Sequence, residues 1–386
     1  MNSDFHYYAT YCAAILAGYS HEESADLAYC DRFVDLCSKT MLFKLKGPAA
    51  AATTQFPVEL VEARTDISGL QDITRIWSAF HFLPHDLYAE PPHKRCSKRY
   101  KSKYRLICNP NGELVKETVK IAKGKGIQAA GVAMHVLADT WAHRYFAGTP
   151  SLVINNPYKE YKELIPGEDG ITERKISFRH SATSPDDLDR SIYTNSLYSN
   201  SETSIMNLGH GRAGHLPDYS FIRYKYLPAW GNYEEILKDN PSDYRHAFCQ
   251  MITAMKYLRG ETAEFELNTY DWDAISEIED KIDEIICKRQ LRSADDWKAL
   301  GEQLSGHALE DFDIEKYQEE YISAAKDKKD DTFLGKFIIA ALAQKSMVTN
   351  KIYESGSKLA GKSIDYSKKG FGGMKAYEKL VKEVGE

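Results

Sequence analysis

The run His135-Val-Leu-Ala-Asp139-Thr-Trp-Ala-His143 lies within residues 127–146, IQAAGVAMHVLADTWAHRYF, and this stretch decides the fold. Ala, Val, Met, Leu and Trp surround its polar residues, which predicts a helix that is buried on most sides. Positions i, i+4 and i+8 of an α-helix advance by about 40° per step. His135, Asp139 and His143 therefore form one polar stripe along an apolar helix.

The polar groups of this stripe need metal or hydrogen-bonding partners, because burying them without partners costs roughly several kcal/mol. One metal centre would satisfy all three residues, and imidazole and carboxylate are suitable zinc ligands. The alternative is a stripe that forms hydrogen bonds with loops. The apolar surroundings favour the metal centre.

Other histidines and aspartates cluster elsewhere in the chain, which supports the metal interpretation. Each cluster alone has another explanation, such as a turn, a helix cap or a solvated face, but their joint presence in a helical chain favours a shared site. Glycines around His210 would let its side chain and its neighbours converge on an ion. The clusters are Asp4-Phe-His6, Asp31 with Asp35, His81-Phe-Leu-Pro-His85-Asp86, and His210-Gly-Arg-Ala-Gly-His215-Leu-Pro-Asp218.

The remaining pattern predicts an all-α protein, a multi-helix bundle with long irregular loops. Ser20-His-Glu-Glu23 resembles a capping box that opens a helix, and Asn240-Pro-Ser opens another. Residues 44–67 and 147–235 are predicted to be irregular. Two regions are predicted: a helical metal-binding domain over 1–260 and a helical extension of unknown role over 261–386.

Composition excludes several classes of protein. Lys and Arg number 50 and Asp and Glu 56, a net charge of −6, and 43% hydrophobic residues indicate a soluble, globular chain. The chain contains no run of 18 apolar residues, so no membrane-spanning helix is expected. The N-terminus lacks a secretory signal, so a cytoplasmic location is expected. The seven cysteines form no CxxC pair, which excludes Cys-rich zinc fingers and predicts free thiols.

The order of these residues resembles the zinc-dependent phospholipase C and S1/P1 nuclease superfamily, and within it a bacterial group with DFHYY and HVxADTWAH motifs. Members are all-α proteins that hydrolyse phosphate esters at a trinuclear zinc site. The resemblance covers residues 4–218 and implies two to three zinc ions. Its motif order here is His6, Asp35, His81, His135, Asp139, His143, a later His, and Asp218.

The resemblance implies a division of the ligands. His81, His135, Asp35 and Asp139 would supply the ligands of one pair of ions, and Asp139 would bridge toward a third metal bound by His6. His143 and Asp218 would hold another ion together with either His210 or His215. His85 is an alternative to His81.

Two departures from the superfamily pattern stand out. Its helix carries H-x3-D-x5-H, whereas here the second spacing is x3, which places His143 about half a turn from the expected position. The superfamily also uses the amine and carbonyl of an N-terminal Trp. This chain starts with Met1, which implies a weaker or absent third ion.

The leading functional hypothesis is therefore a zinc-dependent phosphoesterase of the phospholipase C type. Asp139 and Asp31 or Asp86 are the candidate catalytic carboxylates, and Arg212 is the candidate phosphate contact. The basic run 91–105 is either a solvated loop or a surface for a phosphate-containing substrate, such as a lipid headgroup or nucleic acid. The alternatives are an S1/P1-like nuclease and a structural-metal interaction protein without catalysis.

Overall fold

Helices dominate the chain, and short strands lie between residues 162 and 239. The structure, a computed structural model, describes residues 1–63, 65–92, 95–157, 160–168, 170–179, 184–195, 207–363 and 379. Within them the α-helices are α1 (Thr10–Leu16), α2 (His21–Val34), α3 (Lys39–Lys44), α4 (Pro57–Ala63), α5 (Ile67–Phe80), α6 (Lys98–Tyr104), α7 (Glu113–Ala122), α8 (Ile127–Ala142), α9 (Leu152–Asn155), α10 (Asn240–Arg259), α11 (Glu279–Cys287), α12 (Ala294–Ser305), α13 (Gln318–Ser323) and α14 (Phe333–Glu354). The strands are β1 (Lys162–Gly167), β2 (Gly170–Lys175), β3 (Ser177–Arg179), β4 (Ile192–Thr194), β5 (Arg223–Tyr226) and β6 (Ile236–Asp239).

The prediction of an all-α fold is wrong, because the chain is about 52% helical and also contains two sheets. An antiparallel sheet has the order β2-β1-β5-β6, and β3 pairs in parallel with β4. These strands are three to six residues long, and most side chains of β2 are exposed. Such short, half-exposed strands carry little apolar alternation, so the pattern of residues 147–235 did not reveal them.

Helix α8 is the central element of the helical part, and all its residues except Ile127 are buried. It packs against α2, α7, α10 and α14. A Cβ atom on Gly131 would lie 2.5 Å from the Cβ of Cys30 and 2.6 Å from the carbonyl oxygen of Leu27. The glycine therefore permits a close crossing of α2 over α8.

Helix α2 delivers two aspartates to this crossing. Its N-terminus has the predicted capping box, in which Ser20 and Glu23 each accept a hydrogen bond from the other's backbone N–H. Asp31 lies in its last turn and Asp35 is its C-terminal cap. The carboxylates consequently lie beside His135 of α8.

The predicted regions 1–260 and 261–386 share one apolar core. Residues from both, including Leu137 and Phe337, belong to a single buried cluster, and α14 packs on α5 and α8. The ammonium group of Lys345 on α14 donates a hydrogen bond to the carbonyl of Ala52 over 2.8 Å. Helix α14 is thus part of the scaffold around the loop that contains Ala52.

Two predictions from composition agree with the described residues. The seven cysteines are free thiols, and five of them are buried. No helix among the described residues is both long enough and apolar enough to cross a bilayer.

Candidate metal centre

Three groups of histidine and aspartate side chains, two of which share His135, lie in the interior beside the C-terminal half of α8. Within each group the candidate ligand atoms lie within 4.8 Å of one another. Two ligands of a tetrahedral zinc ion are roughly 3.4 Å apart, as expected for bonds of about 2.0–2.1 Å. The groups are His6 with Asp35 and His135, His81 with His135 and Asp139, and His143 with His210 and Asp218.

The first position is built by α2, α5 and α8. The Nε2 atom of His135 lies 3.3 Å from Nδ1 of His81 and 3.3 Å from Oδ2 of Asp139. Asp35 Oδ1 lies 3.9 Å from the same Nε2 atom. His81 is the C-terminal cap of α5, so its ring leaves the helix axis and turns toward α8.

The second position joins the end of α8 to the loop before β5. His143 Nε2 lies 3.4 Å from Asp218 Oδ1, and His210 Nε2 lies 3.8 Å from the same oxygen. Helix α8 ends at Ala142 and His143 is its C-terminal cap. His143 still follows the stripe of α8, because its backbone N–H binds the carbonyl of Asp139 and its Nδ1 lies 3.4 Å from Asp139 Oδ2.

A third arrangement involves Met1 and His6. The Met1 amine contacts Asp139 Oδ1 and lies 3.2 Å from His143 Nε2. His6 Nε2 lies 3.1 Å from Asp139 Oδ1. Asp139 is hence placed between the groups, in contact with both the Met1 amine and His6.

Five histidines share one feature that fixes their tautomers. In each, one ring nitrogen lies within hydrogen-bonding distance of a protein oxygen behind the centre, so the other nitrogen presents its lone pair inward. The outer contacts are His6 to Asp31 Oδ1 (2.6 Å), His81 to Thr53 O (3.0 Å), His135 to Asp31 O (3.0 Å), His143 to His81 O (2.7 Å) and His210 to Gly214 O (2.7 Å).

The cluster perturbs its own proton affinities. Burial lowers the pKa of His135, but the carboxylates of Asp139 and Asp35 outweigh it and raise that pKa to about 10. Burial alone would raise the pKa of Asp139, yet His143 and the Met1 amine hold it well below its usual range. Burial lowers the pKa of His210 to about 4 against the opposing charge of Asp218. Protons and a metal cation would therefore compete for the same buried anionic charge.

The candidate ligands differ in their exposure to solvent. The side chains of His6, His135 and Asp139 are 0–1% exposed, whereas Asp35 is 25%, His210 18% and Asp218 13% exposed. Solvent therefore reaches the first position at Asp35 and the second position at His210 and Asp218.

The structure separates the alternative histidines. His81 faces the centre, whereas His85 is exposed and its backbone N–H binds the carbonyl of Ile107. His210 belongs to the second group, whereas the side chain of His215 is 64% exposed and holds the outer oxygen of Asp218 at 3.1 Å.

The candidate catalytic residues lie at different depths. Asp31 is buried behind His6 and His135, at their outer ring nitrogens. Asp86 is exposed and accepts a hydrogen bond from the backbone of Tyr88. Arg212 is buried and donates hydrogen bonds to Asn207 over 2.8 Å and to Asn156 over 3.4 Å.

The basic run lies close to the loop that follows α5. Its helical part is α6, where Lys101 and the following Arg105 pair with Glu90. His93 and Lys94 lie outside the described residues.

Sequence reasoning missed three contributors to the centre. The Met1 amine and the Thr53 carbonyl are backbone groups and leave no mark in residue identities. Gly131 could have been noticed in the sequence, because it lies four residues before His135 on the same stripe of α8.

A mixed α/β chain with a largely buried histidine and aspartate cluster defines the general class of this protein. Across residues 1–352 it matches the model of DUF6765, a family of unknown function, and the chain belongs to that family. No curated protein and no solved structure matches the chain.

Proposed function

We propose that this protein is a zinc-dependent hydrolase of phosphoesters, with a metal-activated water that attacks phosphorus. One observation carries the proposal: ring nitrogens of five oriented histidines and oxygens of three aspartates converge on a buried centre, where three of these side chains are partly exposed. Imidazole nitrogens and carboxylates grouped in this way would bind a cation in competition with protons. Ring nitrogens and carboxylate oxygens at these spacings suit zinc.

The residues fall into distinct roles. His81, His135, Asp35 and Asp139 would hold the first ion, and His143, His210 and Asp218 the second. Asp139, with both oxygens facing different groups, is the bridge toward His6 and the Met1 amine. Bound zinc would lower the pKa of a coordinated water toward neutrality and neutralise phosphoryl oxygens.

The partial exposure of Asp35, His210 and Asp218 favours catalysis over a purely structural centre. Structural zinc sites are closed by four protein ligands, whereas catalytic sites keep a position for water or substrate. A phosphate ester would approach at these partly exposed ligands. Arg212, in the segment between His210 and Asp218, would add positive charge for a phosphate oxygen.

The direct experiment measures metal and turnover together. We expect about two to three zinc ions per chain by elemental analysis. We also expect hydrolysis of bis-p-nitrophenyl phosphate that is lost with a chelator and restored by zinc. Less than one ion per chain would remove the basis of the proposal, and bound zinc without turnover of any phosphoester would favour the structural alternative.

A matched pair of histidine variants sharpens this experiment. His81→Gln should lower zinc content and turnover, because it removes a ligand of the first position. His85→Gln, four residues later and exposed, should leave both unchanged. Equal effects of the two substitutions would contradict the assignment.

The class of phosphoester is decided by a substrate panel. Phosphatidylcholine vesicles, single-stranded DNA and RNA, and soluble phosphate monoesters should be compared on zinc-loaded protein. Cleavage of nucleic acid would support the nuclease alternative, and the basic helix α6 is the surface to test there. Release of a phosphorylated headgroup would support the phospholipase C type.

A further inference from the structure

Asp31 contacts two candidate ligands at once. Its Oδ1 atom lies 2.6 Å from Nδ1 of His6 and 3.1 Å from Nδ1 of His135, and its backbone carbonyl also faces the latter at 3.0 Å. The carboxylate is fully buried, and its Oδ2 accepts a hydrogen bond from Thr10 over 2.6 Å.

The local backbone of the N-terminal segment supports this contact. Residues Phe5–Ala9 form a π-helical turn that continues into α1. His6 and Thr10, four residues apart, both face Asp31 from this turn. Single π-helical turns occur frequently at functional sites. The Asp31 carboxylate of α2 therefore forms hydrogen bonds with two side chains of the N-terminal segment, His6 and Thr10, and with His135 of α8.

The two imidazoles are consequently held as a pair. Their rings stack with centroids 4.0 Å apart and an interplanar angle of 21°. Both Nε2 atoms point at Asp139, His6 to Oδ1 at 3.1 Å and His135 to Oδ2 at 3.3 Å. Neither ring can rotate without disturbing the hydrogen bonds of the other.

We propose that Asp31 is a positioning residue that couples two ion positions, because it orients His6 and His135 together. This inference rests on the proposed metal centre. An acceptor on the outer nitrogen fixes the orientation of a ligand imidazole and increases its basicity. Here one acceptor, the Asp31 carboxylate, contacts ligands of two ion positions. An ion bound at one position therefore also helps to orient the ligand of the other.

The test is a titration of metal-free protein with Co²⁺, followed by visible absorption and by calorimetry. Asp31→Asn keeps the side-chain volume but removes the charge. We expect both positions to weaken by about 10- to 100-fold, with an altered Co²⁺ spectrum. In a His6→Ala background, Asp31→Asn should still weaken the remaining position through His135. Unchanged affinity and spectrum in both backgrounds would overturn the inference.

Two further variants keep the result interpretable. Thr10→Val touches no proposed ligand and removes only the hydroxyl that orients Asp31. It should weaken Co²⁺ binding by about 5-fold, the effect of one hydrogen bond, and no effect would count against the inference even if Asp31→Asn fails to fold. Asp26→Asn is the control, because Asp26 lies on the same helix and accepts a hydrogen bond from Tyr317. It should bind Co²⁺ like the wild type.

Different results would refute the metal centre and the positioning role of Asp31. Wild-type protein that binds no Co²⁺ and no zinc would refute the metal centre itself. Wild-type protein that binds ions, with Asp31→Asn indistinguishable from it, would refute only the positioning role.

Discussion

Some residues of the candidate centre have more than one role, and Asp139 is the clearest example. It contacts the Met1 amine and the rings of His6, His81, His135 and His143. In the absence of bound metal its charge is balanced only by these groups. Its removal should therefore affect both ion binding and folding.

Asp139→Asn should lose metal and stability together. The amide leaves buried cationic partners without their counter-charge, which typically costs about 3–5 kcal/mol. Zinc content and the urea midpoint are the measurements. Unchanged zinc content would show that Asp139 is not a ligand.

The pKa shifts predict that zinc binding releases protons. His135, with a pKa raised to about 10, is protonated near pH 7 before an ion binds to its Nε2 atom. Apparent zinc affinity should therefore rise with pH from about 6 toward 10. Calorimetric titration in two buffers of different ionisation enthalpy counts the released protons, and equal heats in the two buffers would contradict this assignment.

The Met1 amine offers a test at the same scale. It is buried, and the charges of Asp139 and Asp218 raise its pKa although burial opposes them. Residues fused ahead of Met1 would convert the amine to an amide and add bulk inside the centre. Zinc content should fall in the fused protein and recover after a protease restores the Met1 amine. Equal zinc content before and after cleavage would contradict its role.

At the scale of elements, the crossing of α2 and α8 determines which side chains meet. Gly131 sets the distance between these helices. A Cβ atom on it would lie 3.0 Å from the backbone nitrogen of Asp31, and Asp35 follows about one turn later on α2. The ligand geometry thus depends on a residue that carries no side chain.

Gly131→Ala should push α2 away from α8. The added methyl group meets the Leu27 carbonyl and Cys30, which should cost about 1–3 kcal/mol of unfolding free energy. Zinc affinity should fall as well, because Asp35 moves relative to His135. Gly124→Ala is a useful comparison, since no atom lies within 4 Å of its added Cβ, although its φ of 72° introduces backbone strain. Tighter or unchanged zinc binding in Gly131→Ala would contradict the crossing argument.

The helices and strands also show how much of the fold could be predicted from the sequence. Helices with caps were predicted well, as for α10 and the capping box of α2. Helix α4 was missed because it is only seven residues long and none of them is buried, so it shows little helical periodicity. The strands were missed for the related reason that they are short and half exposed.

The residues that gather in the candidate centre were largely predictable, but the choices between neighbours were not. The stripe on α8 and the clusters around it defined which residues could meet. Choosing His81 over His85 required the Thr53 carbonyl, and choosing His210 over His215 required the turn that ends at Gly214. Such backbone acceptors depend on tertiary structure, which residue spacing does not specify.

At the scale of the whole molecule, α14 places a buried ammonium group beneath the loop 49–53. Burial lowers the pKa of Lys345 to about 8, with Asp72 opposing. The folded state therefore binds fewer protons than the unfolded state between about pH 8 and 10.5. Stability should rise with pH across that window, and the penalty for burying the charge is fully present below pH 8.

Lys345→Met should consequently be more stable than the wild type near pH 7, by up to about 3 kcal/mol less the lost hydrogen bond to Ala52. The advantage should shrink as pH rises from 8 toward 10.5. Urea denaturation at several pH values measures it. An advantage that is constant over this range would show that Lys345 is not the titrating group.

The neighbouring carbonyls of Ala52 and Thr53 connect distant parts of the chain. The first accepts a hydrogen bond from Lys345 of α14, and the second holds the outer nitrogen of His81. Because consecutive peptide units move together, a displacement of α14 would shift the acceptor that fixes a ligand ring. The coupling is reciprocal, so occupation of the centre should slow amide hydrogen exchange in α14, and a partner bound to that helix would tune metal affinity from far along the sequence.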